Sequence, residues 1–490
     1  MKIGVIGGGT AGWISAIIIK TKYPECDITL IEDELKGTIG VGESTTVAFT
    51  EFLKQCIPNW TTFFNETSSM PKLTKRFLNW NGVGSDFYCP IDGSMTQTEE
   101  IDHFTYLLLK ENKDPSLSSL SRNFNKNKLL DIGLDGNIFL PLPALHLEVL
   151  KTSVFLRNKG REKGIKHIDA KITDVKKEDK TNNVQSVLYK DNIDKEEGEL
   201  QADFWIDASG FHRILSQDVP FISFSKYLPV NKSISTVIIR SGDYHSTTTS
   251  TAASSGWIWD IPTLNKRGVG YVYCDKYQSK EDAQLELEKY IGYRVSEYRH
   301  HKFESGMLKN TWNNNVLSVG LCGSFLEPLQ ATSIHTTVTQ ISIFASQCLR
   351  STYDEMNKPM TRKIFNNYVS DMIIDFRNLV NLSYSGRGLG TDFWKDIEIT
   401  DEGKQLIQLC KERLITKFDF KNYEGAAGLG IWMTILSGLN HIPMEVIEEY
   451  ERIEPNWYEY AKKEFNQVQD QFSKIIPDRM TNDGFASTIK

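Results

Sequence analysis

The chain opens on "MKIGVIGGGTAGWISAIIIK", and no other stretch restricts its fold as much. An apolar run, KIGVIG, leads into Gly7-x-Gly9-x-x-Gly12 and then into a segment rich in isoleucine. The pattern predicts a strand, a tight turn and a helix. A second apolar run, "CDITLIEDE", places Glu32 twenty residues beyond Gly12. The glycines let the turn tighten and let backbone approach a pyrophosphate, whose charge sits at the helix start around Thr10 and Ala11, while the acid takes ribose hydroxyls. A lone GxGxxG is a weak sign. With strand, helix and acid in register it predicts a dinucleotide-binding βαβ unit, and an accidental glycine turn becomes the weaker reading.

Later segments bear on which dinucleotide is bound. "LQADFWIDASGFHRIL" predicts another strand ending at Asp207-Ala208-Ser209-Gly210, and "NNNVLSVGLCGSFLEPLQATSIHTTV" predicts a strand, a glycine turn at Gly320 and Gly323, and a helix. This three-part order resembles the FAD-binding fold of the aromatic hydroxylase type. A second complete GxGxxG after a strand is not present, so a dedicated NAD(P)H domain is not expected. The expected fold is α/β (α+β), with a discontinuous FAD-binding lobe over about 1–80, 140–215 and 305–350. Segments 81–139 and 216–304 are expected to form a sheet-rich substrate side, the latter from alternating runs such as "STVIIRSG" and "RGVGYVYC". From about 340 the pattern turns helical, and 351–490 is expected to be mainly helical; "FNNYVSDMIIDFRNLVNLSY" has apolar residues at i, i+3, i+4 and i+7 spacing.

Composition narrows the class. A net charge of −7 and a pI near 5.8 argue against an electrostatic nucleic-acid binder. No long apolar run or secretory leader is read, so a cytoplasmic location without a membrane span is expected. The seven cysteines are scattered without a CxxC pair, and the nine histidines make no HExxH, so neither disulfides nor a metal site are expected. The segment 176–200 reads as a solvated, charged hairpin.

One stretch remains to be explained: "GWIWDIP", residues 256–262, which puts Trp257 and Trp259 on one face of a strand that Pro262 would end. In isolation such a pair reads as core packing. In this chain it follows Gly7 to Gly12, "GVGESTT" (Gly40 to Thr46) and a lysine eight residues before the tryptophan of "KLTKRFLNW", and it precedes "GSFLEPLQATS". The order resembles that of flavin-dependent halogenases over nearly the whole chain, with weaker support after about residue 440. WxWxIP discriminates best, since related flavin monooxygenases lack it.

The resemblance implies an enzyme that makes hypohalous acid from FADH2, oxygen and chloride, bromide or iodide, and passes it through a tunnel to a separate aromatic-substrate pocket. Trp257 and Trp259 would wall the tunnel. The halide would lie against the amides of Thr332, Ser333 and Ile334, where a loop becomes a helix. Glu43 would sit in a strap over the flavin ring, and Ile172, after the strand "KHIDAKI", and Leu321 would contact FAD through their backbones. Lys72 would be the catalytic amine, holding hypohalous acid or forming a haloamine; Lys75 is the competitor in register. The partners implied are a small electron-rich aromatic and a separate NAD(P)H-dependent flavin reductase, with the oligomeric state left open.

Departures from the family pattern bear on substrate. Tryptophan-specific members carry Glu-Ser after "PL", whereas this chain reads Gln330-Ala331, and a neutral amide accepts no proton near pH 7. Their "FYHxF" segment sandwiches an indole; here "DFYCPI" puts Cys89 and Ile91 in those places. "TSIHTT", with His335, looks more like members that act on other electron-rich aromatics. A pocket for free tryptophan is therefore not expected. The alternatives are an FAD-binding protein whose halogenase machinery has decayed, and a flavin monooxygenase.

Overall fold

Strand Lys2–Ile6 is buried from Ile3 onward and lies between two parallel neighbours, Asp27–Glu32 on one side and Phe204–Asp207 on the other. All three are nearly continuous apolar runs, as strands covered on both faces must be. The computed structural model describes residues 1–36, 43–72, 74–91, 144–240, 245–421 and 427–453, with 456 and 463. Among them an eight-stranded sheet runs in the order 197–201, 184–191, 166–177, 27–32, 2–6, 204–207, 316–318, 312–313. Helix Thr10–Lys22 covers one face, buried at Trp13, Ile14, Ile17 and Ile19, and packs against helices Val149–Glu162 and Thr332–Ile343. Trp205, Val187 and Ile31 close the other face with Leu215.

A second sheet has seven strands in the order 299–302, 232–239, 266–273, 256–262, 247–253, 74–78, 86–90. Its centre is an antiparallel meander in which Trp257 faces Ala252 and Val272 in register, and strand Gly256–Pro262 ends at the proline. The alternating runs at 232–239 and 266–273 pair antiparallel, as expected. A small third sheet joins Glu43–Ser44 and Met70–Lys72 to Ala144–Leu147 and touches the second sheet where Thr248 Oγ1 donates to Ser44 Oγ. It brings Lys72 beside Ser44.

Helix Pro359–Ser383, which follows the short helix Tyr353–Met356 in the helical region, has proline in its first turn, a position that needs no N–H donor. The charged segment pairs as strands Val184–Asp191 and Glu197–Gln201, and every second residue of the latter is exposed. All seven cysteines are free and buried. No helix among the described residues is long and apolar enough to cross a membrane. Two elements depart from the sequence grouping: strand Thr74–Leu78, grouped with the nucleotide lobe, pairs in the second sheet, and helix Lys280–Ile291 interrupts the sheet-rich segment. Residues 92–139 of the expected substrate side, and most of 454–490, lie outside the described residues.

Candidate active site

The turn after the first strand is built for a close ligand. Gly7 has φ +105°, and its N–H donates to Ile31 O at 2.8 Å, fixing the turn to the neighbouring strand. A Cβ on Gly12 would lie 1.9 Å from Gly7 O, so Gly12 serves helix–turn packing. Gly9, where helix Thr10–Lys22 starts, has nothing within 4 Å of its Cβ position, and no side chain caps the helix. The first amides of the helix therefore face open space, which suits a pyrophosphate. At the end of the second strand the Glu32 carboxylate stands 3.0 Å from Arg157 Nε and 2.8 Å from His167 Nε2. That holds the acid in place beside the turn.

The late segment closes on this cradle from the opposite side. Gly320 takes φ +59°, and a Cβ there would come within 2.6 Å of the Ala11 methyl. Leu321 follows in the short turn Gly320–Cys322. Ile172, where the run "KHIDAKI" ends, lies inside strand Lys166–Lys177 at a register shift, and the strand continues past it to Lys177. Gly7, Gly9, Thr10, Ala11, Glu32, Ile172 and Leu321 all line one cavity of about 950 Å³. These residues fit a dinucleotide.

The same cavity extends between the sheets to Glu43, Lys72, Lys75, Trp257, Trp259, Glu327 and the helix start at Thr332, Ser333 and Ile334. The two tryptophan rings stand 6.2 Å apart, and Trp80 lies 6.4 Å from Trp257. Trp257 Nε1 donates to Glu327 Oε1 at 2.9 Å, and Tyr384 OH donates to the same carboxylate at 2.8 Å. Burial pushes Glu327, and likewise Glu43, up to about 7. Lys72 Nζ donates to Ser44 Oγ at 2.7 Å and to Thr45 O at 3.0 Å. Burial pulls its ammonium down to about 8. Lys75 Nζ donates to Leu329 O and lies 4.4 Å from the Phe77 ring centre; burial, then the charge on Lys72, hold it well below the usual lysine range.

Helix Thr332–Ile343 starts after Ala331, which sits at φ +54°, and its first turn has no side-chain cap or acidic residue. Such a terminus attracts an anion. His335, one residue further, pairs Nδ1 with Thr46 Oγ1 at 2.9 Å, and burial lowers it to about 4.

Gly12, Pro262, Cys89, Ile91 and Gln330 stand outside the lining of this cavity. Cys89 is buried opposite Lys75 in register, Ile91 is half-buried, and the Gln330 amide nitrogen is buried without a hydrogen-bond partner among the described residues. Of the "GVGESTT" strap, Gly40, Val41 and Gly42 lie outside the described residues. The sequence reading did not single out Glu327, Tyr384 or Ser44. The first two carry a signal only in hindsight, as the acid of "LEPL" and an aromatic at the end of a long helix.

The tryptophan halogenase family model matches residues 2–454. Tryptophan 6-halogenase SttH of Streptomyces toxytricini is 28% identical, with 97% of this chain and 95% of that protein covered. Tryptophan 7-halogenase RebH of Lentzea aerocolonigenes is 26% identical, covering 84% and 82%. Among solved structures, a tryptophan halogenase from Shewanella frigidimarina superposes with a TM-score of 0.87 at 23% identity, covering 100% of this chain and 97% of that one. BrvH, a flavin-dependent halogenase from Brevundimonas sp. BAL3, gives 0.82 at 23% identity over 100% and 99%. With a match over almost the full chain, the motifs in order and the fold in agreement, the chain belongs to the tryptophan halogenase family and is an enzyme of the flavin-dependent halogenase type.

Proposed function

We propose that this enzyme halogenates an electron-rich aromatic ring, with Lys72 as the amine that carries or holds the halogen. The observation that carries the reading is one continuous cavity joining the dinucleotide cradle to a buried lysine. Gly7, Gly9, Thr10, Ala11 and Glu32 would hold FAD at one end, with Ile172, Leu321 and Glu43 along it. Bound in reduced form, FAD supplies hypohalous acid from oxygen and a halide ion. Thr332, Ser333 and Ile334 offer the halide a helix terminus without a competing carboxylate. Trp257 and Trp259 keep the ring substrate apart from the flavin end and the oxidant away from water.

At Lys72 the free amine can displace hydroxide from hypohalous acid, giving a haloamine and water. Transfer of the halogen to a ring carbon then returns the carbon's proton to the amine nitrogen. The exchange closes without a separate carboxylate, which fits Gln330 in place of an acid. Ser44 Oγ and Thr45 O hold the Lys72 nitrogen in position. A separate NAD(P)H-dependent flavin reductase would supply the reduced cofactor, and that supply favours a cytoplasmic location. Without a carboxylate at 330 or aromatic groups at 89 and 91, the reading favours simple indoles, phenols or anilines over free tryptophan.

The test pairs a variant with a substrate comparison. Lys72→Ala should lose at least about a hundredfold in halogenation while reduced flavin is still reoxidised at the normal rate, since general acid–base or nucleophilic groups contribute factors of that order. Halogenation by the variant at the wild-type rate would remove Lys72 from the mechanism. Free tryptophan, unsubstituted indole, phenol and aniline are compared side by side under bromide. Single-position halogenation of tryptophan alone would overturn the substrate reading.

A further inference from the structure

The cavity holds a second buried amine that the mechanism above does not use. Lys75 is 4% exposed on strand Thr74–Leu78, which is paired on both edges, by Asp86–Pro90 and by Thr247–Ala253. An interior strand position normally takes an apolar side chain. Here a lysine points into the cavity, makes no ion pair among the described residues, and satisfies one donor on Leu329 O. Leu329 belongs to the turn Pro328–Gln330 that leads directly into the helix start at Thr332. Lys72 lies close enough for its charge to act on Lys75.

Two further groups mark this part of the wall. Ser250 and Trp259 line the cavity and are at least nine-tenths buried, and Ser250 Oγ and Trp259 Nε1 have no hydrogen-bond partner among the described residues. They are register partners across strands 247–253 and 256–262, so they stand side by side. A hydroxyl and an indole N–H left unpaired at a cavity wall suit a small polar guest that both donates and accepts. Hypohalous acid is such a guest.

We propose that Lys75 is a second halogen-carrying amine of the cavity, taking up active halogen from the side of the helix Thr332–Ile343 and handing it to Lys72. It rests on the reading that hypohalous acid passes through this cavity. In the first step the Lys75 nitrogen attacks the halogen of hypohalous acid; the N–X bond forms, the O–X bond breaks, and hydroxide leaves with the amine proton as water. In the second, the Lys72 amine takes the halogen from Lys75 and gives a proton in return. The halogen stays in the same oxidation state throughout, so no further oxidant is needed. Burial favours the uncharged amine that this requires, and the charges of Lys72, Cys89 and Glu327 are the groups that act on Lys75 beside it. Direct delivery to Lys72 would give the interior strand no reason to carry a second lysine.

The test supplies halogen with and without flavin. Monochloramine is added to the FAD-loaded protein at pH 7, and chlorinated lysines are located by peptide mapping without reductant. Lys75 should carry at least about tenfold more chlorine than the exposed Lys276, because a lysine in water is almost fully protonated at that pH. The second arm runs reduced FAD, oxygen and bromide without an aromatic substrate on Lys72→Ala, which should accumulate bromine on Lys75. A Lys75→Leu protein that still binds FAD controls both assignments, and in it both labels should disappear. Chlorine spread over exposed lysines with none on Lys75 overturns the proposal. So does turnover that marks Lys72 in the wild type but leaves Lys75 unmarked in Lys72→Ala. If monochloramine marks Lys75 while turnover marks no lysine at all, Lys75 is reactive but off the halogen's path and the proposal fails, whereas the halogenase reading fails only if added aromatic substrates are also left unhalogenated.

Discussion

An amine that takes up halogen must first lose its proton, and at Lys72 that requirement has a measurable consequence. Burial lowers its ammonium from the usual 10.5 to about 8. Below that value the free amine falls tenfold for each pH unit; above it the amine is already free. With preformed reduced flavin and excess ring substrate, halogen transfer should therefore rise with pH up to about 8 and then level off. If Lys72 acts only as an ammonium that hydrogen-bonds hypohalous acid, the profile has the opposite slope and falls above about 8. Stopped-flow measurement of product formation between these limits separates the two roles. Lysine and spacing were readable in the sequence, since Lys72 stands a fixed distance before Trp80. What was not readable is that Lys75, three residues on, also enters the cavity: strand alternation would place residues 72 and 75 on opposite faces, but they belong to strands of different sheets.

The wall of the cavity depends on a junction of three elements. Glu327 accepts from Trp257 on strand Gly256–Pro262 and from Tyr384 just past helix Pro359–Ser383, so one carboxylate ties the second sheet to the helical region. A buried carboxylate that loses a donor keeps its desolvation penalty, and Tyr384→Phe should destabilise the protein by about 1–3 kcal/mol in urea unfolding. Tyr384→Phe and Glu327→Gln act on one network, so their combined effect should depart from the sum by about 1 kcal/mol. Additive effects would mean that the hydrogen bonds between them carry no stability of their own. The local patterns at this scale were legible: strand, glycine turn and helix in the first lobe, and the tryptophan pair on a strand that stops at Pro262. The junction was not. Its partners are separated by 70 and 57 residues, and neither spacing nor periodicity in a single chain reports contacts at that distance.

At the scale of the whole molecule the arrangement of the sheets rests on strand pairings that sequence patterns do not specify. Nothing in the local pattern of 74–78 says that it pairs in the second sheet, and the small sheet that seats Lys72 takes its strands from 43–44, 70–72 and 144–147. The result is a continuous cavity from the dinucleotide cradle to the lysines, rather than two unconnected sites. On the proposed function, an oxidant made at one end and used at the other survives only while the wall around the passage keeps bulk water out. Trp259 contributes to that wall: its ring lies over Gly270 on the neighbouring strand, where a Cβ would come within 2.2 Å of it, so position 270 stays without a side chain to seat the indole. Trp259→Ala should open the wall, at a cost in stability of about 3–5 kcal/mol, and Trp259→Phe should open it less. The measurement is the partition of oxidising equivalents between halogenated substrate and a scavenger kept in bulk solution, such as monochlorodimedone, per reduced flavin consumed. The scavenged share should rise in the order wild type, Trp259→Phe, Trp259→Ala, while flavin reoxidation stays unchanged. An identical partition in all three proteins, each shown to be folded and to bind FAD, would mean that the tryptophan pair is core packing and that the oxidant is confined by other groups.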